Sequence, residues 1–90
     1  MKTLSVDVCF DDYQWESIHG SMDTNSMCVN IERAIDLAND LIFDCEDDEV
    51  FAPPEGPAYI HAVVYDYNGA YLDTEDIYGH YEKNKGFIKD

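Results

Sequence analysis

The N-terminal segment alternates apolar and polar side chains with the period of a half-buried β-strand. Its apolar members are Leu4, Val6, Val8 and Phe10. Successive side chains of a strand point to opposite faces, so this spacing predicts a strand with one face in the core. Asp11 and Gln14 then have the form of a helix N-terminal capping pair. We therefore expect a short helix ending near Gly20, followed by a loop over residues 20–26, which are rich in turn-forming residues.

A different spacing begins near Met27, where apolar residues recur every three or four positions. They are Ile31, Ala34, Ile35, Ala38, Leu41, Ile42 and Cys45. This stripe predicts an amphipathic helix of about five turns, with Asn25 or Ser26 as a suitable N-cap. Three prolines and a glycine between Phe51 and Pro57 cannot continue a helix, so that segment is expected to be a connector.

The C-terminal third contains a hairpin signal. Asn68-Gly69 separates two β-prone runs, residues 58–67 and 70–73, and this dipeptide favours a two-residue type I′ turn. Such a turn would give one largely apolar face, able to receive the helix, and one wetter face. On the apolar face it pairs Tyr67 with Ala70, Tyr65 with Leu72 and Val63 with Thr74. The wetter face carries Asp66, Tyr71 and Asp73.

The residues after the hairpin resemble a helix start. Thr74-Glu75-Asp76 would place acidic side chains in a first turn, where the helix dipole favours them, and the helix would end at about Tyr81 or Glu82. The elements together predict an α+β fold in one domain over residues 1–90. Its β-α-β-β order forms an antiparallel sheet of three to four strands packed on one long amphipathic helix, with room for short extra helices.

Charge changes the picture more than composition does. Residues 3–82 contain one cation, Arg33, and 19 of the chain's 20 carboxylates, which is a formal charge of −18. Disordered acidic chains are poor in aromatic residues, whereas this sequence is 46% apolar and 13% aromatic, so we expect it to fold. A surface this negative repels phosphate backbones and acidic lipids, which disfavours direct nucleic-acid or membrane binding and favours a basic partner.

Motifs for chemistry and targeting are missing from the sequence. The N-terminus lacks a signal-peptide pattern and no apolar run is long enough to cross a bilayer, so a cytoplasmic location is expected. Cys9, Cys28 and Cys45 form no C-x-x-C pair, and no two candidate ligands have a recognised metal spacing, so we predict neither a metal nor a cofactor. No nucleophile elbow, phosphate loop or metalloprotease motif is present, so a non-enzymatic protein is expected.

A row of carboxylates follows the predicted helix on the side opposite its apolar stripe. Its members are Glu32, Asp36, Asp40 and Asp44, extended by Glu46, Asp47 and Asp48. Residues four apart advance about 6 Å along a helix axis and wind slowly around it. Like charges at this spacing cost about 0.2–0.5 kcal/mol per pair, so helix stability alone would not select them. A charge run is usually a solvated surface, but the scarcity of lysine and arginine favours a binding role.

Carboxylates at this spacing can replace consecutive phosphates in a basic groove. In size and charge alone, the chain resembles the small acidic DNA mimics that phages and mobile elements use against restriction, CRISPR or repair systems. Those proteins share no motif, so the resemblance is one of strategy. It predicts an inhibitor or decoy that binds the basic nucleic-acid-binding surface of a partner, such as a host nuclease or defence protein.

Tyrosines support a second hypothesis. Tyrosine is a frequent anchor at protein interfaces, and Tyr65 and Tyr71 lie on the predicted hairpin. The chain would then be a small adaptor or regulatory module that contacts its partner, or a second copy of itself, through an aromatic sheet face. In that case the acidity would be incidental to binding.

Overall fold

The protein is built around an antiparallel sheet of five strands. The structure, a computed structural model, describes residues 1–10, 17–48 and 52–90. Along the chain, the elements are β1 (Lys2–Phe10), β2 (Ile18–Thr24), α1 (Ile31–Cys45), β3 (Gly56–Tyr65), β4 (Tyr71–Glu82) and β5 (Gly86–Lys89). The strand order is β2-β1-β3-β4-β5 and every neighbouring pair is antiparallel. The sheet curls into a half-barrel.

The core lies between the inner face of this sheet and α1. From the first strand it receives Leu4, Val6, Val8 and Phe10, which confirms the alternation predicted there. From the helix it receives Ala34, Ala38 and Ile42, all fully buried. The small alanines let the helix approach the sheet closely, because packed side chains set the distance between layers.

The expected architecture of three to four strands on a long helix is wrong. The described residues form five strands and a single helix of 15 residues, so the fold is mostly sheet. Two segments interpreted as loop or helix are strands instead.

The first of these segments is β2. Residues 18–24 pair with β1, from Ile18 opposite Val8 to Thr24 opposite Lys2, although residues 20–26 were expected to be a loop. Gly20 ends no helix. It lies in the strand, and a Cβ there would be 2.7 Å from the Leu41 side chain of α1. The short helix expected before Gly20 falls partly on residues 11–16, outside the described residues.

The second segment is β4, where a helix was expected from Thr74 to about Tyr81. Its residues alternate instead, with Ile77 and Tyr81 buried and Asp76 and Tyr78 exposed. Strand pairing on both sides, with β3 and with β5, satisfies the backbone groups that a helix would have satisfied internally. Tertiary pairing therefore overrides the acidic helix-start signal.

The helix begins later than predicted. Asn30, not Asn25 or Ser26, is the N-cap, and its side chain accepts a 3.2 Å hydrogen bond from Arg33 N. The preceding segment is held in other contacts, because Cys28 N donates to Ser26 Oγ and Val29 N donates to Asp73 Oδ2 at 2.7 Å. The helix consequently has about four turns, not five.

The turn between β3 and β4 also differs from the prediction. Val63 does lie opposite Thr74, but Tyr65 lies opposite Tyr71, because the register shifts after Val64. The Asp66 carboxylate accepts hydrogen bonds from Asn68 N at 2.8 Å and from Ala70 N at 2.9 Å. In this turn Gly69 alone has positive φ, at 83°, so it is not type I′, which requires two such residues.

This shift changes which residues share a face. The helix packs against Ala58, Ile60, Ala62 and Val64, and not against the face of Val63 and Tyr65. Tyr71 joins Tyr65 on the outer face, with ring centroids 5.0 Å apart. The expectation that Tyr71 and Tyr65 lie on opposite faces is therefore wrong.

Candidate functional site

The carboxylate row lies on the solvent side of α1. Glu32, Asp36, Asp40 and Asp44 are all exposed. At 100° per residue the centre of this row lies about 180° around the helix from the buried positions. With the described residues, none of the four makes an ion pair or a side-chain hydrogen bond. Their charge is therefore not compensated within this part of the molecule.

The predicted extension of the carboxylate row beyond the helix is only partly exposed. Asp47 and Asp48 are exposed beyond the helix, but Glu46 is buried with 9% of its surface exposed. Its Oε1 accepts hydrogen bonds from the Tyr81 hydroxyl at 2.7 Å and from Asn84 N at 2.9 Å. Burial and this bond raise the pKa of the Tyr81 hydroxyl. Glu46 therefore has a structural role and does not belong to the exposed row.

Arg33, the cation nearest to the row in sequence, stands on the same helix. It is exposed and shares with Asp36 and Asp40 the wall of a shallow groove of about 250 Å³ between α1 and Met22 of β2. It makes no ion pair within the described ranges. Arg33 therefore leaves the row strongly negative.

The outer face of the sheet carries a second arrangement, which the sequence reading missed. His19, Asp7, His61 and Asp76 stand opposite one another in register across β2, β1, β3 and β4. The distance from His19 Nδ1 to Asp7 Oδ1 is 2.8 Å, and that from His61 Nδ1 to Asp76 Oδ1 is 2.6 Å. We call this the histidine–aspartate row. Each imidazole fixes a carboxylate in place on an open surface.

The third histidine lies near the far edge of the same face. His80 Nε2 is 3.5 Å from Glu82 Oε1, and its Nδ1 is 3.6 Å from Asp90 Oδ1. Every histidine of the chain thus lies beside a carboxylate. This differs from the helix, where the carboxylates of the row have no such neighbour among the described residues.

Two tyrosine pairs flank the histidine–aspartate row. Tyr59 and Tyr78 have ring centroids 5.8 Å apart, and the Tyr65–Tyr71 pair lies on the other side. A hydrogen bond with the Cys9 thiol is the main cause that raises the pKa of Tyr59, and one with Tyr71 does the same for Tyr65. The outer face is therefore both aromatic and acidic.

The predicted site residues consequently occupy two separate surfaces. Asp36, Asp40 and Asp44 point away from the sheet, whereas Tyr71, 70% exposed, and the half-buried Tyr65 lie on its outer face. The α1 helix and the core separate them, so one flat partner surface cannot touch both. The alternation of Asp7 with Val6 and Val8 was the available signal for the histidine–aspartate row, since it placed Asp7 on the outer face.

Neither a cluster of metal-ligating side chains nor a membrane-spanning helix is found among the described residues. No group of three or more histidine, cysteine or carboxylate side chains among them is arranged to hold a metal ion. None of their helices has the length and apolar character needed to cross a bilayer. Comparison of the chain with protein-family models, curated proteins and solved structures finds no match.

Proposed function

We propose that this protein is a small, non-enzymatic, cytoplasmic inhibitor or decoy that binds the basic nucleic-acid-binding surface of a partner protein. A phage- or mobile-element-encoded inhibitor of a host nuclease or defence system has this character. The observation that carries the proposal is the exposed row Glu32, Asp36, Asp40 and Asp44, which has no compensating ion pair within the described residues.

The chemistry of the row supports this proposal. Its carboxylates recur at about 6 Å along one side of a helix, which is comparable to the separation of neighbouring phosphates on a nucleic-acid backbone. The helix is held rigidly through Ala34, Ala38 and Ile42 in the core. The backbone positions of the row are therefore fixed before binding, which limits the entropy cost to that of the side chains.

A lysate experiment with a charge-matched control tests the proposal. The row variant carries Asp40→Asn and Asp44→Asn, and the control carries Asp23→Asn and Glu75→Gln, two exposed carboxylates of the sheet. Both double variants have the same net charge. The immobilised wild-type protein is expected to capture nucleic-acid-binding proteins from a cell lysate at low salt, and duplex DNA is expected to release them.

The row variant should capture several-fold less of these proteins, with a weaker salt dependence, while the control should behave like the wild type. Mass spectrometry of the eluates measures both. Equal capture by the two double variants, or a failure of duplex DNA to release the bound proteins, would contradict the proposal.

The exposed tyrosine pairs favour a second candidate function, that of an adaptor or regulatory module that binds a protein or a second copy through the outer sheet face. Tyr71 is 70% exposed and in contact with Tyr65. Replacing Tyr71 with Ala would then weaken capture or dissociate a dimer, whereas the row variant would leave both unchanged. Analytical ultracentrifugation and the same capture assay distinguish the two functions.

A further inference from the structure

A groove of about 350 Å³ opens beside the exposed tyrosine pair at one end of the sheet. Phe10, Pro57, Ala58, Tyr59, Tyr78, Gly79 and Asp90 line it. Tyr59 is 40% exposed and Tyr78 63% exposed, so both rings present surface to solvent. Exposed tyrosine rings are frequent anchors for a binding partner.

The two tyrosine rings form a wall suited to a cation. Their centroids are 5.8 Å apart and their planes are inclined by 33°. Both rings keep part of their surface exposed to solvent, Tyr78 more than Tyr59. A guanidinium group stacks on such a ring by cation–π attraction, and it does so better than an ammonium group because it is planar and more weakly hydrated.

Carboxylates complete the chemistry of this groove. Asp90 is one of the lining residues, and Asp76 is close enough to contribute to the raised pKa of Tyr59. His61 holds Asp76 at 2.6 Å, and His80 lies 3.6 Å from Asp90. The described residues that line the groove include no lysine or arginine, and the chain carries a net charge of −15.

We propose that this groove receives the side chain of an arginine from a basic partner segment. The apolar stem would lie along Pro57 and Ala58, and the guanidinium would stack on Tyr78 beside the Asp90 carboxylate. The identity of the partner rests on the proposed function. The described residues that line the groove include none from α1. The groove is therefore a second contact, separate from the helix row, and its tyrosine rings favour arginine over other cations.

Peptide titrations monitored by nuclear magnetic resonance test the groove directly. The probes are acetylated, amidated hexa-arginine and hexa-lysine, which have equal length and charge. Wild-type protein is expected to bind hexa-arginine roughly two- to five-fold more tightly, with amide shifts at Tyr59, Tyr78 and Gly79. The Tyr78→Ala variant should lose that preference, and Tyr78→Phe should keep it because the ring remains. Tyr67→Ala is the control, since Tyr67 is 81% exposed in a turn and lies outside the groove.

The outcomes separate this inference from the proposed function. Equal wild-type affinities for the two peptides, or an arginine preference that survives Tyr78→Ala, would overturn the groove as an arginine site. If that happens while the Asp40/Asp44 variant still captures less, the proposed function stands alone. If Tyr78→Ala loses the arginine preference while the Asp40/Asp44 variant captures as much as wild type, the groove stands as an arginine site and the proposed function fails.

Discussion

The hydroxyl of Tyr81 donates a 2.7 Å hydrogen bond to Oε1 of Glu46 in the protein interior. The same oxygen accepts a hydrogen bond from Asn84 N. Asn84 lies in the turn between β4 and β5 and has a positive φ of 68°. Glu46 therefore connects the C-terminal end of α1 to β4 and to this turn. A residue that belongs to an acidic run in the sequence is therefore buried and connects the end of the helix to the sheet.

Loss of this carboxylate is expected to destabilise the fold. Glu46→Ala would leave the Tyr81 hydroxyl and the Asn84 amide without an acceptor, which should lower the free energy of unfolding by about 1–3 kcal/mol. Glu46→Gln keeps an oxygen acceptor and should cost less. Asp47→Asn, at the exposed neighbour, should stay within about 0.5 kcal/mol of wild type. Urea unfolding measures all three, and equal stability of Glu46→Ala and Asp47→Asn would show that the bond contributes little.

The same contact predicts alkaline destabilisation. Burial, and then the hydrogen bond to Glu46, raise the pKa of Tyr81 in the folded state above its ordinary value, which is about 10 in an unfolded chain. The unfolded state therefore releases the proton first. The stabilisation is complete below pH ~10 and is lost as the pH rises from there towards the folded-state pKa.

Urea unfolding at several pH values between about 8 and 11 measures this loss. The Tyr81→Phe variant should be less stable than wild type at pH ~8, yet its stability should fall less steeply above pH ~10. Tyr67→Phe, which removes an exposed hydroxyl, should leave the slope unchanged. If Tyr81→Phe and wild type have parallel pH dependences, Tyr81 does not cause the alkaline loss.

Segments with a clear hydrophobic period could be predicted from the sequence. Segments whose structure depends on pairing with strands distant in the chain could not. The alternation from Leu4 to Phe10 and the helix stripe around Ala34 and Ala38 both follow from burial of one side, which a single chain segment encodes. The strand over residues 71–82 is different. Its first residues were predicted as the second run of a hairpin, but Thr74-Glu75-Asp76 has a local preference for a helix start. The pairing of this part with β3 and β5 is a long-range effect.

The candidate sites differ in the same way: some features follow from a local period, and others depend on residues distant in the chain. Exposure of Asp36, Asp40 and Asp44 followed from the helix period, because the row lies opposite the apolar stripe. The burial of Glu46 did not follow, since it depends on Tyr81, a residue 35 positions away in the chain. The histidine–aspartate row likewise needs the register of four strands. Local patterns indicated neither β2 nor the part of β4 after residue 73.

Gly79 is expected to be essential for the attachment of β5. A Cβ at this position would collide with the carbonyl oxygen of Ile88 and lie 2.8 Å from the ring of Phe87. The Gly79→Ala variant must therefore separate β4 from β5 or shift the buried Phe87, which should lower the free energy of unfolding by about 1–3 kcal/mol. Hydrogen exchange should show faster exchange in β5, with β1 nearly unchanged. Gly69→Ala is the comparison, since nothing lies within 4 Å of its added Cβ, and its cost should be limited to the strain of positive φ.

Stability and binding are expected to respond in opposite directions to changes in the carboxylate row. Asp44 lies in the last turn of α1, which holds no basic residue, so its charge opposes the helix dipole and repels Asp40 four residues earlier. Asp44→Asn should raise the free energy of unfolding by about 0.3–1 kcal/mol at low salt, and the gain should shrink as salt is added. Asp23→Asn, on a strand, should show no such gain.

A protein selected for stability alone would benefit from Asp44→Asn. An Asp44→Asn variant that is more stable in urea yet captures less partner would therefore indicate that the row is maintained for binding. A destabilised Asp44→Asn would instead mean that the carboxylate makes a favourable contact within the fold.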